Sequence, residues 1–174
     1  MAEDSAQVIT RLLIEDFKRR VLLESLPRIR RCLAELTPEQ IWYRPNEMSN
    51  SIGNLLLHLN GNVRQWILNG LGRLPDTRHR DQEFAERKPL STEILLAGLE
   101  STLAEVEMVV DQLTSADLVA LRPVQCFEET GVSILMHVAE HFSYHTGQIA
   151  YITKSLAKVD LAFYAGQNLQ QTSP

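Results

Sequence analysis

The sequence predicts an all-α protein folded as a four-helix bundle. Four long stretches carry apolar side chains at the three- and four-residue spacing of an amphipathic helix. No stretch alternates convincingly between apolar and polar residues, as a half-buried strand would. A chain of 174 residues suits one domain of ordinary size. We therefore expect a single domain over residues 1–174, with the four helices packed side by side.

The first long helix is predicted over residues 5–36. Its apolar stripe continues through Pro27, which removes one backbone hydrogen bond and clashes with the preceding turn. Because the stripe is unbroken, we expect one helix that bends near Pro27 and not two separate helices. Thr37 and Pro38 then supply the N-cap and first position of a short helix. The stripe comprises Val8, Leu12, Leu13, Phe17, Leu22, Leu26, Ile29, Leu33 and Leu36.

The second and third long helices are predicted over residues 51–71 and from Ser91 to about Leu113. His58 falls on the flank of the second helix, and Asn62 follows one turn later. Residues 76–90 form the most polar stretch and are predicted to be a surface connection, in which His79 is exposed and has no role. The predicted apolar face is Ile52, Leu55, Leu56, Leu59, Val63 and Trp66 in the second helix, and Ile94, Leu95, Leu99, Leu103, Val106, Val109 (or Val110) and Leu113 in the third.

The fourth long helix is predicted over residues 131–156, after an irregular or hairpin-like connection at residues 118–130. It contains three of the five histidines, at a spacing of four residues. At about 100° per residue, His145 lies within the apolar stripe, His141 lies on its edge and His137 falls almost outside it. We therefore expect His141 and His145 to point toward the core together. A surface position is the first interpretation of His137, and a contact that orients a metal ligand is the second.

Two imidazoles one helical turn apart are able to chelate one metal ion. The alternative is that both are core-edge histidines, each hydrogen-bonded to a carboxylate or carbonyl. His58, at the edge of the second helix, is the natural third ligand, because helix bundles build metal sites from side chains on facing helices. Asn62 then either contacts a ligand or substrate, or caps the polar edge of the site. Three neutral imidazoles suit Zn, Ni, Fe or Co.

Charge and composition exclude several other classes of protein. The net charge of −5 and the absence of a basic cluster argue against a nucleic-acid partner. No apolar run approaches the length of a membrane span, and no signal peptide is recognised at the N-terminus. Cys32 and Cys126 are far apart in the sequence and fit reduced thiols, which favours a cytoplasmic location.

The segments around these histidines resemble the DinB-like superfamily. The similar segments are SIGNLLLHLNGN, which contains His58, and HVAEHFSYHTGQ, which runs from His137 to Gln148. They are most similar to a bacterial branch of uncharacterised members, and the resemblance covers nearly the whole chain. It implies a four-helix bundle with a long crossover connection, a metal held by His58, His141 and His145, and a homodimer. It also implies that Gly147 permits a close approach between helices.

The resemblance leaves three functions open. DinB-like proteins of known activity are metal-dependent thiol-S-transferases and isomerases that use low-molecular-weight thiols, which implies a site that activates a thiol. A hydrolase that activates water is a variant of the same hypothesis. The alternatives are a non-catalytic metal-binding or stress-related protein, and an interaction module whose histidines bind nothing. Glu140 and Tyr144 are predicted to face away from the three histidines, so no residue is assigned as a general base. The predicted metal is Zn, Ni or Fe, and the predicted partner is a small-molecule substrate.

Overall fold

The computed structural model describes residues 4–172, and the chain over this range is mostly helical. The predicted domain of residues 1–174 therefore includes five terminal residues that lie outside the described range. The helices are α1 (Ser5–Lys18), α2 (Leu26–Leu33), α3 (Pro38–Ile41), α4 (Ile52–Val63), α5 (Arg80–Ala85), α6 (Thr92–Val110), α7 (Ser115–Val119) and α8 (Gly131–Ala157). Two π-helical segments, Arg19–Ser25 and Arg64–Asn69, follow α1 and α4.

The first helical run, from α1 through α2, is continuous and contains a π-helical segment in place of a simple proline kink. The backbone stays right-handed helical at both joins, and the amide of Leu26 donates to the carbonyl of Val21, five residues back. Pro27 then occupies the first turn of α2, where a missing N–H is tolerated. The prediction of one helix across Pro27 is confirmed. Its predicted end at residue 36 is wrong, because α2 ends at Leu33.

The second and third long helices bury the apolar faces that the sequence predicts, with two exceptions. Ile94 is 60% exposed, and Leu113, which lies beyond the end of α6, is only partly buried. Of the two alternatives at the end of α6, Val110 is fully buried, and Val109 is only partly buried. The helix α4 packs against both α6 and α8, while α2 packs against α8. These contacts enclose one apolar core.

Side-chain caps explain where several helices begin. Ser51 accepts a hydrogen bond from the amide of Asn54, whose side chain reciprocates to the backbone of Ser51, so α4 starts with a capping box. Thr130 caps α8 by accepting from the amide of Ser133. These two caps fix the starts of the two helices that carry His58, His141 and His145.

A two-stranded antiparallel sheet joins α7 to α8. The strands are β1 (Leu121–Val124) and β2 (Phe127–Thr130), with Leu121 opposite Thr130 and Val124 opposite Phe127. Gln125 has a φ of 57°, a left-handed conformation that suits a tight turn. The hairpin-like connection is therefore confirmed, and the all-α prediction needs this one addition. None of the helices in residues 4–172 combines the length and apolarity needed to cross a membrane.

The connection between the second and third long helices is wrongly predicted to be only a surface segment. It contains the short helix α5, and the side chains of Arg78 and Glu83 within it are only 4% and 10% exposed. The neighbouring His79 is exposed, as the sequence predicts. A polar segment is able to enter the interior here because its charged side chains pair with each other, which offsets the cost of burying either alone.

Candidate metal centre

Three histidines that are distant in sequence converge between α4 and α8. One ring nitrogen from each of His58, His141 and His145 lies within 4.8 Å of the other two. Nε2 of His58 is 3.0 Å from Nε2 of His141. The rings meet edge to face, with centroids 4.9 Å apart for His58 and His141 and 4.4 Å apart for His141 and His145. The three imidazoles predicted as metal ligands thus form one cluster.

The helices hold these rings in place by simple geometry. His141 and His145 are one turn apart on α8, so their side chains emerge on the same face. His58 lies on α4, which packs against α8 and presents its ring to the other two. His58 and His145 are buried, and His141 is half-buried, so the cluster has one side nearer to solvent.

The connection between α4 and α6, which contains α5, covers the other side of His58. Nδ1 of His58 is 2.8 Å from Oε2 of Glu83. The ring of Phe84 packs on that of His58, with centroids 4.6 Å apart. The amide nitrogen of Asn54, itself on α4, donates to the backbone carbonyls of Glu83 and Glu86. The short helix α5 is thereby fastened to α4 directly over His58.

Glu83 belongs to a chain of buried polar contacts. Arg78 donates to both of its carboxylate oxygens, from Nε at 2.7 Å and from Nη2 at 2.9 Å. Arg78 also donates from Nη1 to Oε1 of Gln65 at 2.9 Å. Gln65 in turn donates to Asp76 at 2.7 Å. The guanidinium beside Glu83, together with His58, holds the pKa of this carboxyl below its usual value, against the opposing effect of burial.

His145 has a polar partner on its own helix. Its Nδ1 lies 2.7 Å from Oε1 of Gln148, three residues later on α8. An imidazole whose Nδ1 donates to an amide oxygen has its Nε2 lone pair free for a metal. Gln148 therefore orients the ring of His145, a role that the sequence did not suggest. The adjacent Gly147 is exposed, and a Cβ there would meet no atom within 4 Å, so the close helix approach expected at this glycine is wrong.

His137 lies next to the cluster and not on the open surface. Its ring stacks on Trp66, with centroids 3.6 Å apart, and lies 5.4 Å from the ring of His141. Nδ2 of Asn62 is 3.3 Å from Nε2 of His137. The first interpretation of His137, a surface position, is thus wrong. The second interpretation, a contact that orients a metal ligand, stays a prediction, because the polar contact of His137 is with Asn62 and its ring stacks beside that of His141.

The environment of the cluster favours neutral imidazoles at His141 and His145. Burial, together with the neighbouring His145 and His58, lowers the pKa of His141 to about 3. Burial also lowers the pKa of His145, against the opposing hydrogen bond to Gln148. Neutral imidazole is the form that binds metal ions. Near neutral pH, protons therefore compete weakly for the ring nitrogens of His141 and His145.

No carboxylate other than Glu83 contacts the three rings within residues 4–172. Glu140 is exposed, and Tyr144 is 63% exposed, as predicted from their helical angles. The ring of Tyr144 nevertheless touches that of His145 edge to face, with centroids 5.0 Å apart. A cavity of about 590 Å³ adjoins this side, and its lining includes Tyr144, Gln148 and Tyr151.

Sequence reasoning missed Arg78, Glu83 and Gln148. Gln148 was detectable, because it follows His145 by three residues and one helical turn brings such pairs together. Arg78 and Glu83 gave no such signal, since they lie in a highly charged segment where most side chains are solvated.

Comparisons with known proteins agree with the fold. The profile of the family described as "Protein of unknown function (DUF1572)" matches residues 11–165. The crystal structure of a DinB-like protein from Bacillus subtilis, YjoA, is similar to this chain with a TM-score of 0.56 and 17% sequence identity. The similarity covers 88% of this chain and 97% of that one. No protein of curated function matches the sequence.

Proposed function

Because this chain belongs to the DUF1572 family of the DinB-like superfamily, and because three of its histidines converge, we propose that it binds one divalent metal ion through His58, His141 and His145. The four long helices would form a four-helix bundle of the DinB-like type, with residues 70–91 as the long crossover connection. The metal would be Zn, Ni or Fe, which imidazole ligands suit.

The convergence of the three ring nitrogens is the observation that carries this proposal. In a tetrahedral zinc site with Zn–N distances of about 2.0–2.1 Å, the ligand nitrogens lie about 3.3 Å apart. The 3.0 Å between the Nε2 atoms of His58 and His141 is close to that value. All three nitrogens fall within 4.8 Å, so small rotations of the rings suffice to bind one ion. Burial favours the neutral form of His141 and His145, and the apolar core around α4 and α8 holds all three rings in place.

Three protein ligands leave at least one coordination position open, which distinguishes a catalytic site from a closed structural one. A divalent metal held there would lower the pKa of a bound thiol or water toward neutrality. We propose that the substrate is a small thiol, and that the reaction transfers its sulfur to an electrophilic second substrate. The S–H bond would break as its proton passes to solvent. The thiolate sulfur would then form a bond to an electrophilic carbon of the second substrate, while that carbon's leaving group departs with its bonding electron pair.

The side chains around the cluster favour a thiol over water as the nucleophile. Hydrolysis usually needs a general base beside the metal. The carboxylate of Glu83 is already hydrogen-bonded to Arg78 and His58, and Glu140 is exposed on the far side of α8, so neither is placed to act as that base. A thiol ionises more readily than water and needs no separate base once it is bound. The alternative function is a non-catalytic metal-binding or stress-related protein with the same three ligands.

Metal analysis of protein purified without a histidine tag tests the binding proposal. We expect about one equivalent of metal in the wild-type protein and a loss of most of it in His58→Ala, His141→Ala and His145→Ala. His79→Ala is the matched control, because His79 is exposed and does not belong to the cluster. If either α8 variant keeps a full equivalent, the assignment of the three ligands is wrong.

Cobalt substitution distinguishes thiol activation from passive metal binding. Small thiols added to the Co²⁺ protein should produce a sulfur-to-cobalt charge-transfer absorption that saturates with thiol concentration. An alcohol of the same shape is the control and should produce none. If thiols leave the spectrum unchanged while the metal remains bound, the non-catalytic alternative is favoured.

We also propose a cytoplasmic homodimer. The dimer follows from the family resemblance, and its support in this chain is the exposure of large apolar side chains such as Leu12, Met136 and Tyr151. The cytoplasmic location follows from the free thiols of Cys32 and Cys126. Light scattering at micromolar concentration should give twice the mass of one chain, and a single-chain mass would refute the dimer.

A further inference from the structure

We propose that Glu83 is the positioning residue of the metal centre: held by Arg78, it fixes the proton of His58 on Nδ1 and so leaves Nε2 as the metal donor. This inference rests on the proposed metal site. It adds a requirement that the three ligands alone do not contain, namely that a carboxylate from the crossover connection determines which tautomer His58 adopts.

The distance between Glu83 and His58 fixes the proton. An ionised carboxylate only accepts hydrogen bonds, and the guanidinium of Arg78, which donates to both oxygens of Glu83, pairs with that ionised form. A separation of 2.8 Å between Oε2 and Nδ1 would bring two lone pairs together unless a proton lies between them. Nδ1 of His58 therefore carries the proton. Its Nε2 is then bare and directed at His141, 3.0 Å away.

Among the described residues, only one contact favours the opposite tautomer of His58, and it comes from Arg78. Its Nη2 is 3.1 Å from Nδ1 of His58, as if Nδ1 accepted a hydrogen bond. The same Nη2 already donates to Oε2 of Glu83 at 2.9 Å. The carboxylate contact to His58 is shorter and charge-assisted, so it prevails. The guanidinium of Arg78 thus donates its hydrogen bond to Glu83 and not to Nδ1 of His58.

The position of Glu83 is fixed from several directions. Arg78 donates to both carboxylate oxygens of Glu83, and Gln65 accepts a further hydrogen bond from Arg78. Asn54 anchors the backbone of Glu83 to α4. The carboxylate also lies against Gly61 on α4, and a side chain at position 61 would collide with it. This degree of restraint is what a group that orients a metal ligand requires.

The other two histidines lack such a fixed partner. Gln148, beside His145, is an amide that either donates or accepts, so it tolerates both tautomers. No hydrogen bond to Nδ1 of His141 occurs within residues 4–172, and the 3.0 Å contact to His58 needs a proton from Nε2 of His141 in the metal-free protein. Binding of a metal would therefore move the proton of His141 to Nδ1, while His58 keeps its own.

NMR of metal-free protein labelled with ¹⁵N-histidine tests the inference without any bound metal. Two-bond ¹H–¹⁵N correlations should show His58 as the Nδ1–H tautomer in the wild type. In Glu83→Gln, the amide oxygen should stay with Arg78 while the amide nitrogen donates to Nδ1, so His58 should change to the Nε2–H tautomer. Metal affinity, measured by competition with a chelator, should fall about 10- to 100-fold, as for other groups that orient metal ligands.

Asp81→Asn is the control, because it removes one negative charge from an exposed position of the same short helix. It should change neither the tautomer nor the affinity. If Glu83→Gln fails to fold, the double variant Arg78→Met/Glu83→Met removes the pair without leaving a buried unpaired charge. That variant should also lose affinity. A Glu83→Gln protein that keeps the Nδ1–H tautomer, or a folded variant with wild-type affinity, overturns the inference.

The same experiment separates this inference from the proposed function. If the wild-type protein binds no metal, the proposed function fails. The spectrum of the metal-free protein would still report the tautomer of His58. If the Nδ1–H tautomer is absent there, the role of Glu83 is overturned independently.

Discussion

Gly61 occupies a position on α4 where a side chain would displace the carboxylate of Glu83. A Cβ built on Gly61 would lie 1.9 Å from Oε1 of Glu83 and 2.8 Å from its Cδ. Both distances are far below van der Waals contact, so one group would have to move. The absence of a side chain at Gly61 is therefore required for the contact between Glu83 and His58 in the proposed metal centre.

We predict that Gly61→Ala weakens metal binding by about 10-fold or more, because the added methyl group pushes Glu83 away from His58. Chelator competition measures the affinity. The effect should not add to that of Glu83→Gln in the double variant, since both changes break the same contact.

Gly98→Ala is the control for this substitution. Gly98 lies inside α6, where a Cβ would approach only Nδ2 of Asn60, at 3.8 Å. Alanine there should raise the free energy of unfolding by about 0.5–1 kcal/mol and leave metal affinity unchanged. If Gly61→Ala behaves like Gly98→Ala, the carboxylate is not confined as described.

At the scale of the element, the π-helical segment before Pro27 has a second cause besides the proline. The buried positions Phe17, Val21, Ser25 and Ile29 are spaced four residues apart. In an α-helix each such step drifts by about 40°, so three steps would carry the buried face well round the helix. A π turn takes more residues per turn and absorbs this drift. The segment keeps these side chains directed at α8, against which it packs.

We predict that Pro27→Ala changes the free energy of unfolding by less than about 1 kcal/mol. In an ordinary helix interior, replacing a proline with alanine would raise the free energy of unfolding by about 3 kcal/mol. Here the π segment removes the need for the amide at residue 27, and the buried spacing keeps that segment in place. Urea unfolding gives the value. A gain near 3 kcal/mol would show that the proline alone causes the π turn.

At the scale of the whole molecule, the apolar core extends well beyond the proposed metal centre. It extends along all four long helices, and the three histidines occupy only part of one side of the contact between α4 and α8. The fold should therefore survive without metal, in contrast to small zinc domains, whose folding requires the ion.

We predict that chelation leaves the helical circular-dichroism signal at 25 °C nearly unchanged and lowers the melting temperature. Free metal at 100 times its dissociation constant should raise the free energy of unfolding by about 2.7 kcal/mol, because the ion binds only the folded state. The His141→Ala/His145→Ala variant is the control and should melt at the same temperature with or without metal. Loss of helical signal on chelation would instead mean that the metal is needed for folding.

The sequence by itself determined the long helices and the three histidines of the cluster. Both follow from local periodicity: the spacing of Leu55, Leu59 and Val63 defines the buried face of α4, and the four-residue spacing of His141 and His145 places them on one face of α8. The hairpin at residues 121–130 was also detectable, because β-branched residues and a proline interrupt the helical pattern there.

Only the tertiary structure decided what surrounds the cluster. Arg78 and Glu83 are 20 and 25 residues from His58, the nearest predicted ligand, and lie in a highly charged segment of the kind that is usually exposed to solvent. They are buried because they neutralise each other and because His58 and Gln65 supply their remaining partners. Such pairing depends on contacts between residues distant in sequence, which periodicity does not report. For the same reason the sequence misplaced His137, whose burial depends on stacking against Trp66 from another helix.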